Sequence, residues 1–171
     1  MTAPSAVAVA PPFDLHGRRA LVTGGTDGLG PVIVAALAAA GADVGQDITG
    51  LTAQATPLDI LVTVAGPVPS AGLTLDEWLI IRAARPLLCA GSSVVNVCAR
   101  SAAGGVPGDV HHAALVGLTR SLARELGPDG IRVNLVTAGG CAAEVAAVVA
   151  FLASDDAGFV TGATFPVGDL P

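Results

Sequence analysis

Short, continuously apolar runs alternate along the chain with alanine-rich or amphipathic stretches, and turn residues separate the two kinds of segment. An apolar run of 4 to 8 residues with no polar alternation is typical of a strand buried on both faces. The run around Val94 is rich in valine, which favours a strand further. Strands are predicted at residues 19–23, 42–44, 58–66, 92–99, 131–137 and 163–168.

The intervening stretches carry helix start and stop signals. Pro31 begins an alanine-rich stretch that Gly41 ends, which is the usual placement of proline and glycine around a helix. Thr74 with Glu77 three residues later has the spacing of a capping box, and Pro86 ends the helix that follows. Helices are predicted at residues 31–40, 74–85, 111–126 and 142–154.

This alternation of strands and helices predicts the fold class. Parallel strands covered by helices on both faces give an α/β, doubly wound architecture. The length of 171 residues suits one domain, which we place at residues 15–171. Residues 1–14 are predicted to be a flexible tail.

Composition and charge exclude several classes of protein. Apolar residues make up 52% of the chain and charged residues 13%, which excludes disorder and predicts apolar surface that meets another subunit. The formal net charge is −6 and the arginines are scattered, so nucleic acid is not expected as a partner. A homo-oligomer is expected.

The cysteines and the longest uncharged run indicate the compartment. Cys89, Cys98 and Cys141 are odd in number and lack metal-type spacing, so neither a disulfide framework nor a metal site is predicted. The uncharged run over residues 60–75 falls short of a membrane helix, and the N-terminus lacks the positive region of a signal peptide. We therefore expect a cytoplasmic protein without a membrane partner.

A glycine-rich loop follows the first predicted strand. Thr23, Gly24, Gly28 and Gly30 form a TGxxxGxG pattern between strand and helix, where the backbone can approach a diphosphate. Further along, LDILVTVAG, VVNV, GLTRSLARELGPDGIRVN and VAFLASDDAGFVTGATFPV occur in this order. Together these segments resemble the short-chain dehydrogenase/reductase family, from about Leu15 to about Val167. The resemblance implies a Rossmann-like parallel sheet, here reduced to about five or six strands, and an NAD(P) cofactor.

The catalytic residues of that family are not reproduced. Its members use a Tyr-x-x-x-Lys dyad, but this chain has neither tyrosine nor lysine. Alignment on the helix places His112 at the lysine position and the tyrosine position near Gly108. The family's serine corresponds to Ala99, and its helical asparagine has no counterpart. Cys98 and Ser101 lie on either side of the serine position.

The cofactor site is also altered. The family's NNAG segment becomes TVAG, which ends at Gly66, and the chain passes almost directly from Val44 to Leu58, without the strand and helix that wall the adenine in the family. Asp47 lies near the place where an acidic residue would accept a ribose hydroxyl. The residues expected to contact a dinucleotide are Thr23, Gly24, Gly28, Gly30, Asp47 and Gly66. The cofactor is NAD(P), or none.

Two adjacent histidines are the main candidates for chemistry. His111 and His112 begin a predicted helix, whose N-terminal partial charge favours the neutral imidazole, a base near neutral pH. Neighbouring helical residues point about 100° apart, so at most one of the two histidines faces the pocket where the family binds its substrate. Ser101 and Cys98 are possible helpers. The structural alternatives are two solvated histidines, a buried apolar role for Cys98, and Asp109 as a helix cap.

The main hypothesis is therefore a non-redox acid/base enzyme, such as a cyclase, dehydratase or isomerase, that acts on an apolar small molecule. One alternative is a non-catalytic, dinucleotide-binding or oligomerising member of the family. Another is an NAD(P)-dependent oxidoreductase in which histidine replaces the catalytic tyrosine. A further hypothesis is that the chain is an artificially shortened version of the fold.

Overall fold

The fold is built on one parallel sheet. The computed structural model describes residues 13–24, 28–46, 56–65, 76–99 and 106–168. Within these residues six strands are hydrogen-bonded in the order β2-β1-β3-β4-β5-β6, and every pair is parallel. The strands are β1 (Arg19–Thr23), β2 (Asp43–Gly45), β3 (Leu58–Ala65), β4 (Leu88–Ala99), β5 (Arg132–Ala138) and β6 (Thr164–Val167).

Four helices in the described residues cover the two faces of the sheet. They are α1 (Gly30–Ala39), α2 (Asp76–Ala84), α3 (Val106–Leu126) and α4 (Ala142–Ala153). One apolar core joins α1 and α4 to one face of the sheet, and a second joins α2 and α3 to the other. The predicted α/β, doubly wound, Rossmann-like architecture with five or six strands is confirmed.

Both faces of the central strands are buried, which explains their continuous apolar sequence. In β3, Ile60 and Val62 belong to the core under α1 and α4, whereas Leu61 belongs to the core under α2 and α3. All three side chains are fully buried. Because successive strand residues face opposite sides of a sheet, each face needs its own apolar set.

Two elements are longer than the sequence predicts. β4 begins at Leu88, which pairs with Leu58, and the register then shifts before Ser93 pairs with Ile60. The small residues in the irregular segment hid this part of the strand. α3 begins at Val106, five residues before the predicted start at His111.

The C-terminal half is held by side chains that bond to backbone carbonyls. Arg132 on β5 donates to the carbonyl oxygens of Leu152 (2.8 Å) and Ser154 (3.0 Å), where α4 ends. Burial lowers the pKa of the Arg132 guanidinium, while the nearby Asp155 carboxylate opposes this shift. Asn134 donates to the carbonyl of Val160 at 3.0 Å. These bonds tie β5 to α4 and to the segment that precedes β6.

The N-terminal end of the described chain also contacts the core. The rings of Phe13 and Phe151 pack at a centroid distance of 5.5 Å. Phe13 lies within the predicted tail, whose residues 1–12 are outside the described part. No helix in the described residues is long and apolar enough to cross a membrane.

Candidate functional site

The carboxyl ends of the parallel strands lie along one edge of the sheet. The chain order of the strands reverses at β1, which lies between β2 and β3. Open α/β sheets bind ligands in the crevice outside the carboxyl ends of the strands, at such a switch point. The loop after β1 and the ends of β3, β4 and β5 therefore define the candidate site.

The glycines after β1 are arranged as a ligand-binding turn requires. Gly28 has a φ of +60°, which L side chains rarely adopt, and a Cβ added there would meet no atom within 4 Å. Gly30 is buried at the start of α1, which has Pro31 in its first turn and no side-chain cap on its N-terminus. Uncapped N–H groups at a helix N-terminus favour an anion. These residues fit the diphosphate of a dinucleotide.

Gly24 and Thr23 have structural partners on the neighbouring strand. Gly24 has a φ of +71°, and an added Cβ would lie 2.5 Å from the carbonyl oxygen of Val64. The hydroxyl of Thr23 donates to the carbonyl oxygen of Val62 at 3.4 Å. The Thr23 bond ties the end of β1 to β3, and the close approach of the two strands leaves no room for a side chain at Gly24. Asp47 and Gly66, the other two residues predicted to contact a cofactor, lie outside the described residues.

His112 reaches the carboxyl end of β5. Its Nε2 lies 3.0 Å from Oγ1 of Thr137, and the imidazole is partly buried. The donor and acceptor of this bond depend on the tautomer of the histidine. No sequence motif marks Thr137. Its position one residue before the end of a strand is the signal that could have found it.

His111 points in a different direction and is buried between helices. Its Nε2 lies 4.0 Å from Oε1 of Glu77 on α2, and both side chains are less than one-tenth exposed. The two imidazoles thus contact different elements, and that at most one of them faces a substrate pocket stays a prediction. Glu77 was predicted as part of a capping box with Thr74, which lies outside the described residues.

The longer α3 corrects two predictions about its start. Because the helix begins at Val106, His111 and His112 lie in its second turn, where the effect of the helix dipole has largely faded. The prediction of a neutral imidazole rested on a position in the first turn of the helix, and the structure places neither histidine there. Asp109 lies within the first turn and is not the cap residue.

The remaining catalytic candidates are Cys98 and Ser101. Cys98 is 3% exposed and packs in an apolar cluster with Ala65, Leu115 and Leu135. This environment is that of a buried small side chain. Ser101 lies outside the described residues. In the described part of the chain, no group of three or more His, Cys, Asp or Glu side chains could hold a metal ion.

A chain of buried polar side chains lies next to this cluster. Thr63 on β3 donates to Oδ1 of Asn96 at 2.7 Å, and Nδ2 of Asn96 donates to Thr119 on α3 at 2.9 Å. The three residues link two strands to the helix that carries the histidines. Asn96 lies in a strand, as predicted, so it cannot replace the helical asparagine of the family.

Comparison with known proteins identifies the family. The model of a family described as enoyl-(acyl carrier protein) reductase matches residues 42–142. The chain belongs to the short-chain dehydrogenase/reductase family.

Individual relatives match over nearly their whole length. An acetoacetyl-CoA reductase of Rhizobium meliloti is 28% identical over 229 aligned positions, which cover 86% of this chain and 95% of the relative. The 3-oxoacyl-[acyl-carrier-protein] reductase MabA of Mycobacterium tuberculosis is 27% identical, with 98% and 97% coverage. The solved RhlG/NADP active-site complex of Pseudomonas aeruginosa has a TM-score of 0.77 and 25% identity, and 92% of this chain and 97% of that chain are covered.

These relatives overturn the main functional hypothesis. The hypothesis was a non-redox cyclase, dehydratase or isomerase, because the Tyr-x-x-x-Lys dyad is absent. The relatives are named as reductases, which points to NAD(P)-dependent oxidoreductase function. The prediction was wrong because it gave the missing dyad more weight than the retained scaffold.

Proposed function

We propose that this chain is an NAD(P)-dependent oxidoreductase in which His112 performs the proton transfer that a tyrosine performs elsewhere in the family. The observation that carries the proposal is the contact between His112 Nε2 and Thr137 Oγ1 at the carboxyl edge of the sheet. This contact supports the proposal because it brings an imidazole, a side chain that can act as an acid or a base, to the carboxyl end of β5.

The residues that would hold the cofactor are those of the glycine loop. Gly28 leaves room for the diphosphate, and the N–H groups at the start of α1 would donate to it. When bound, a nicotinamide supplies the hydride in a reduction or accepts it in the reverse reaction.

The chain itself supplies the matching proton. In a reduction, the proton would pass through Thr137: its hydroxyl would give a proton to the carbonyl oxygen of the substrate and take one from His112 Nε2, which lies 3.0 Å from Oγ1. With the hydride from the nicotinamide, the ketone becomes an alcohol. Since an acetoacetyl-CoA reductase and a 3-oxoacyl reductase are among the relatives, we propose 3-oxoacyl thioesters as the substrate class.

Cofactor binding is the first test. We expect calorimetric titration to show micromolar binding of NADPH or NADH to the wild-type protein. The change Gly28→Asp should abolish it, because the carboxylate would repel the diphosphate. Arg19→Met, a change at a partly exposed residue at the other end of β1, is the matched control and should leave the affinity unchanged. Absence of binding up to millimolar concentration would refute the proposal.

Turnover of acetoacetyl-CoA tests the role of His112. His112→Asn should lower kcat by about 10²- to 10⁴-fold, the usual contribution of a general acid, with the Kd for the cofactor retained. Gly108→Tyr with His112→Lys would restore the family's dyad, because a Cβ at Gly108 meets open space. Activity in this double variant but not in the wild type would show that the fold supports hydride transfer and that His112 does not serve as the acid.

The absence of tyrosine and lysine favours a second candidate, a non-catalytic dinucleotide-binding member of the family. This candidate predicts that the wild-type protein binds the cofactor with micromolar affinity and that neither the wild type nor His112→Asn turns over acetoacetyl-CoA. The same two experiments therefore separate the two candidates.

A further inference from the structure

Glu77, an acidic residue, and His111, a basic one, form a buried pair between α2 and α3. They are 7% and 5% exposed, and Nε2 of His111 lies 4.0 Å from Oε1 of Glu77. Oε2 of Glu77 and Nε2 of His111 have no hydrogen-bond partner among the described residues. Buried polar atoms almost always have a partner, so each exception needs an explanation.

The pair lies close to an apolar core that the two helices share. Ile81, one turn after Glu77, belongs to this core together with Leu122 of α3. An apolar residue in place of Glu77 would extend this core. An ionised side chain buried there alone would be strongly unfavourable, whereas two opposite charges compensate each other.

The acidic residues that lie nearest to the pair in sequence face solvent. Asp76 precedes Glu77 and Asp109 lies two residues before His111, and both are exposed. Within the described residues, Glu77 is the acidic group within ion-pair distance of His111. Each of the two side chains therefore has the other as its ionisable neighbour among the described residues.

We propose that Glu77 and His111 are positioning residues, an ion pair that sets the rotation of α3 and thereby the direction from which His112 reaches Thr137. His112 is the next residue along the helix and points about 100° away, so a rotation that moves one imidazole moves the other. A rotation of about 10° displaces the tip of a helical side chain by about 1 Å, and such a misplacement can cost about 100-fold in rate. The proposal rests on the proposed function for its effect on catalysis.

Four variants test the pair. They are Glu77→Gln, His111→Gln, the exchange Glu77→His with His111→Glu, and the apolar double change Glu77→Leu with His111→Leu. Each single change leaves one partner uncompensated, so Tm should fall by about 5 to 15 °C. The exchange should recover most of this loss. Glu125→Gln, an exposed position on the same helix, is the control and should change Tm by less than about 2 °C.

The apolar double variant separates positioning from stability. Replacement of a buried ion pair by apolar residues usually preserves stability, so this variant should fold with a Tm near that of the wild type. We expect its kcat for acetoacetyl-CoA to fall by about 10-fold or more with KM little changed, and the NMR signals of the His112 ring to shift. A folded double variant with unchanged kcat and unchanged His112 signals would overturn the proposal.

The outcome does not depend on activity alone. If the wild type has no reductase activity, the Tm values of the single and exchange variants and the His112 signals still test the pair. Additive Tm losses in the two single and the exchange variants would show that Glu77 and His111 are not coupled, whatever the protein catalyses. Loss of activity in His112→Asn with intact coupling concerns the proposed function instead.

Discussion

Gly24 and Gly28 have similar left-handed backbones, with φ of +71° and +60°, but their surroundings differ. A Cβ at Gly24 would lie 2.5 Å from the carbonyl oxygen of Val64, whereas a Cβ at Gly28 would meet nothing within 4 Å. Gly24 is thus required by the packing of β1 on β3. Gly28 leaves space that a ligand can use.

This difference predicts unequal effects of alanine. Gly24→Ala combines backbone strain with a clash against backbone, so we expect a loss of at least about 2 kcal/mol in the free energy of unfolding. Gly28→Ala should cost only about 1 kcal/mol, the usual strain of a left-handed residue. Urea denaturation of both variants measures the difference. Equal losses would contradict the assignment.

The direction in which each of the two histidine side chains points also depends on the contacts of that single residue. His111 and His112 are neighbours in sequence, and both were candidates for acid/base chemistry. Packing against α2 buries His111 beside Glu77, while His112 meets Thr137. Sequence alone predicts that the two point apart, but not which one contacts the end of β5, because that depends on the rotation of α3 against the sheet.

At the scale of elements, Arg132 joins the start of β5 to the end of α4. The last carbonyls of a helix have no partner within the helix, and the guanidinium of Arg132 satisfies those of Leu152 and Ser154. The exposed ion pair between Arg19 and Asp43, 3.6 Å apart, joins β1 to β2 in a different way. Hydrogen bonds from a charged donor to buried carbonyls contribute more than an exposed ion pair does.

We therefore expect Arg132→Met to reduce the free energy of unfolding by about 2 to 3 kcal/mol. Arg19→Met, the matched control, should cost less than about 1 kcal/mol. Chemical denaturation at two salt concentrations is the measurement, since only the exposed pair is strongly screened by salt. A loss for Arg132→Met no larger than that of the control would show that the two carbonyls do not need this donor.

Most elements could be predicted from local signals. β1 was predicted with the bounds that the structure shows, and α1 and α4 were predicted to within two residues, because apolar runs, Pro31 and the glycines mark them. The extension of α3 back to Val106 was missed, since Gly108 and Pro107 argue against a helix by propensity. A proline is tolerated in the first turn of a helix, where its missing N–H needs no partner.

For the whole molecule, the low fraction of charged residues leaves apolar side chains at the surface. Leu79 on α2 and Val110 on α3 are 55% and 44% exposed. They belong to the two helices that cover the same face of the sheet. We propose that this face meets a second copy of the chain, in line with the homo-oligomer expected from composition.

The change Leu79→Glu tests this proposal by placing a charge in the apolar face. Sedimentation velocity should show an oligomer for the wild type and a shift toward the monomer for the variant. Glu125→Gln is a suitable control, because it changes a charged residue on α3 without adding charge. A wild-type monomer, or an oligomer that Leu79→Glu leaves intact, would contradict the proposal.

The chain by itself determined the class of fold. Two-sided burial requires continuous apolar strands, and helix start and stop signals are local, so the α/β alternation can be read without any tertiary contact. The glycine loop and the segments shared with the family are equally local. The absence of tyrosine and lysine is also a property of the sequence alone, and it misdirected the functional hypothesis.

Only the tertiary structure decided which side chains meet. Thr137 and His112 come from different elements, as do Glu77 and His111, and their distances follow from how α2 and α3 pack on the sheet. Such contacts join residues far apart in sequence, and no periodicity or local motif encodes them. The sheet order and the rotation of each helix, fixed by packing of the whole core, bring them together.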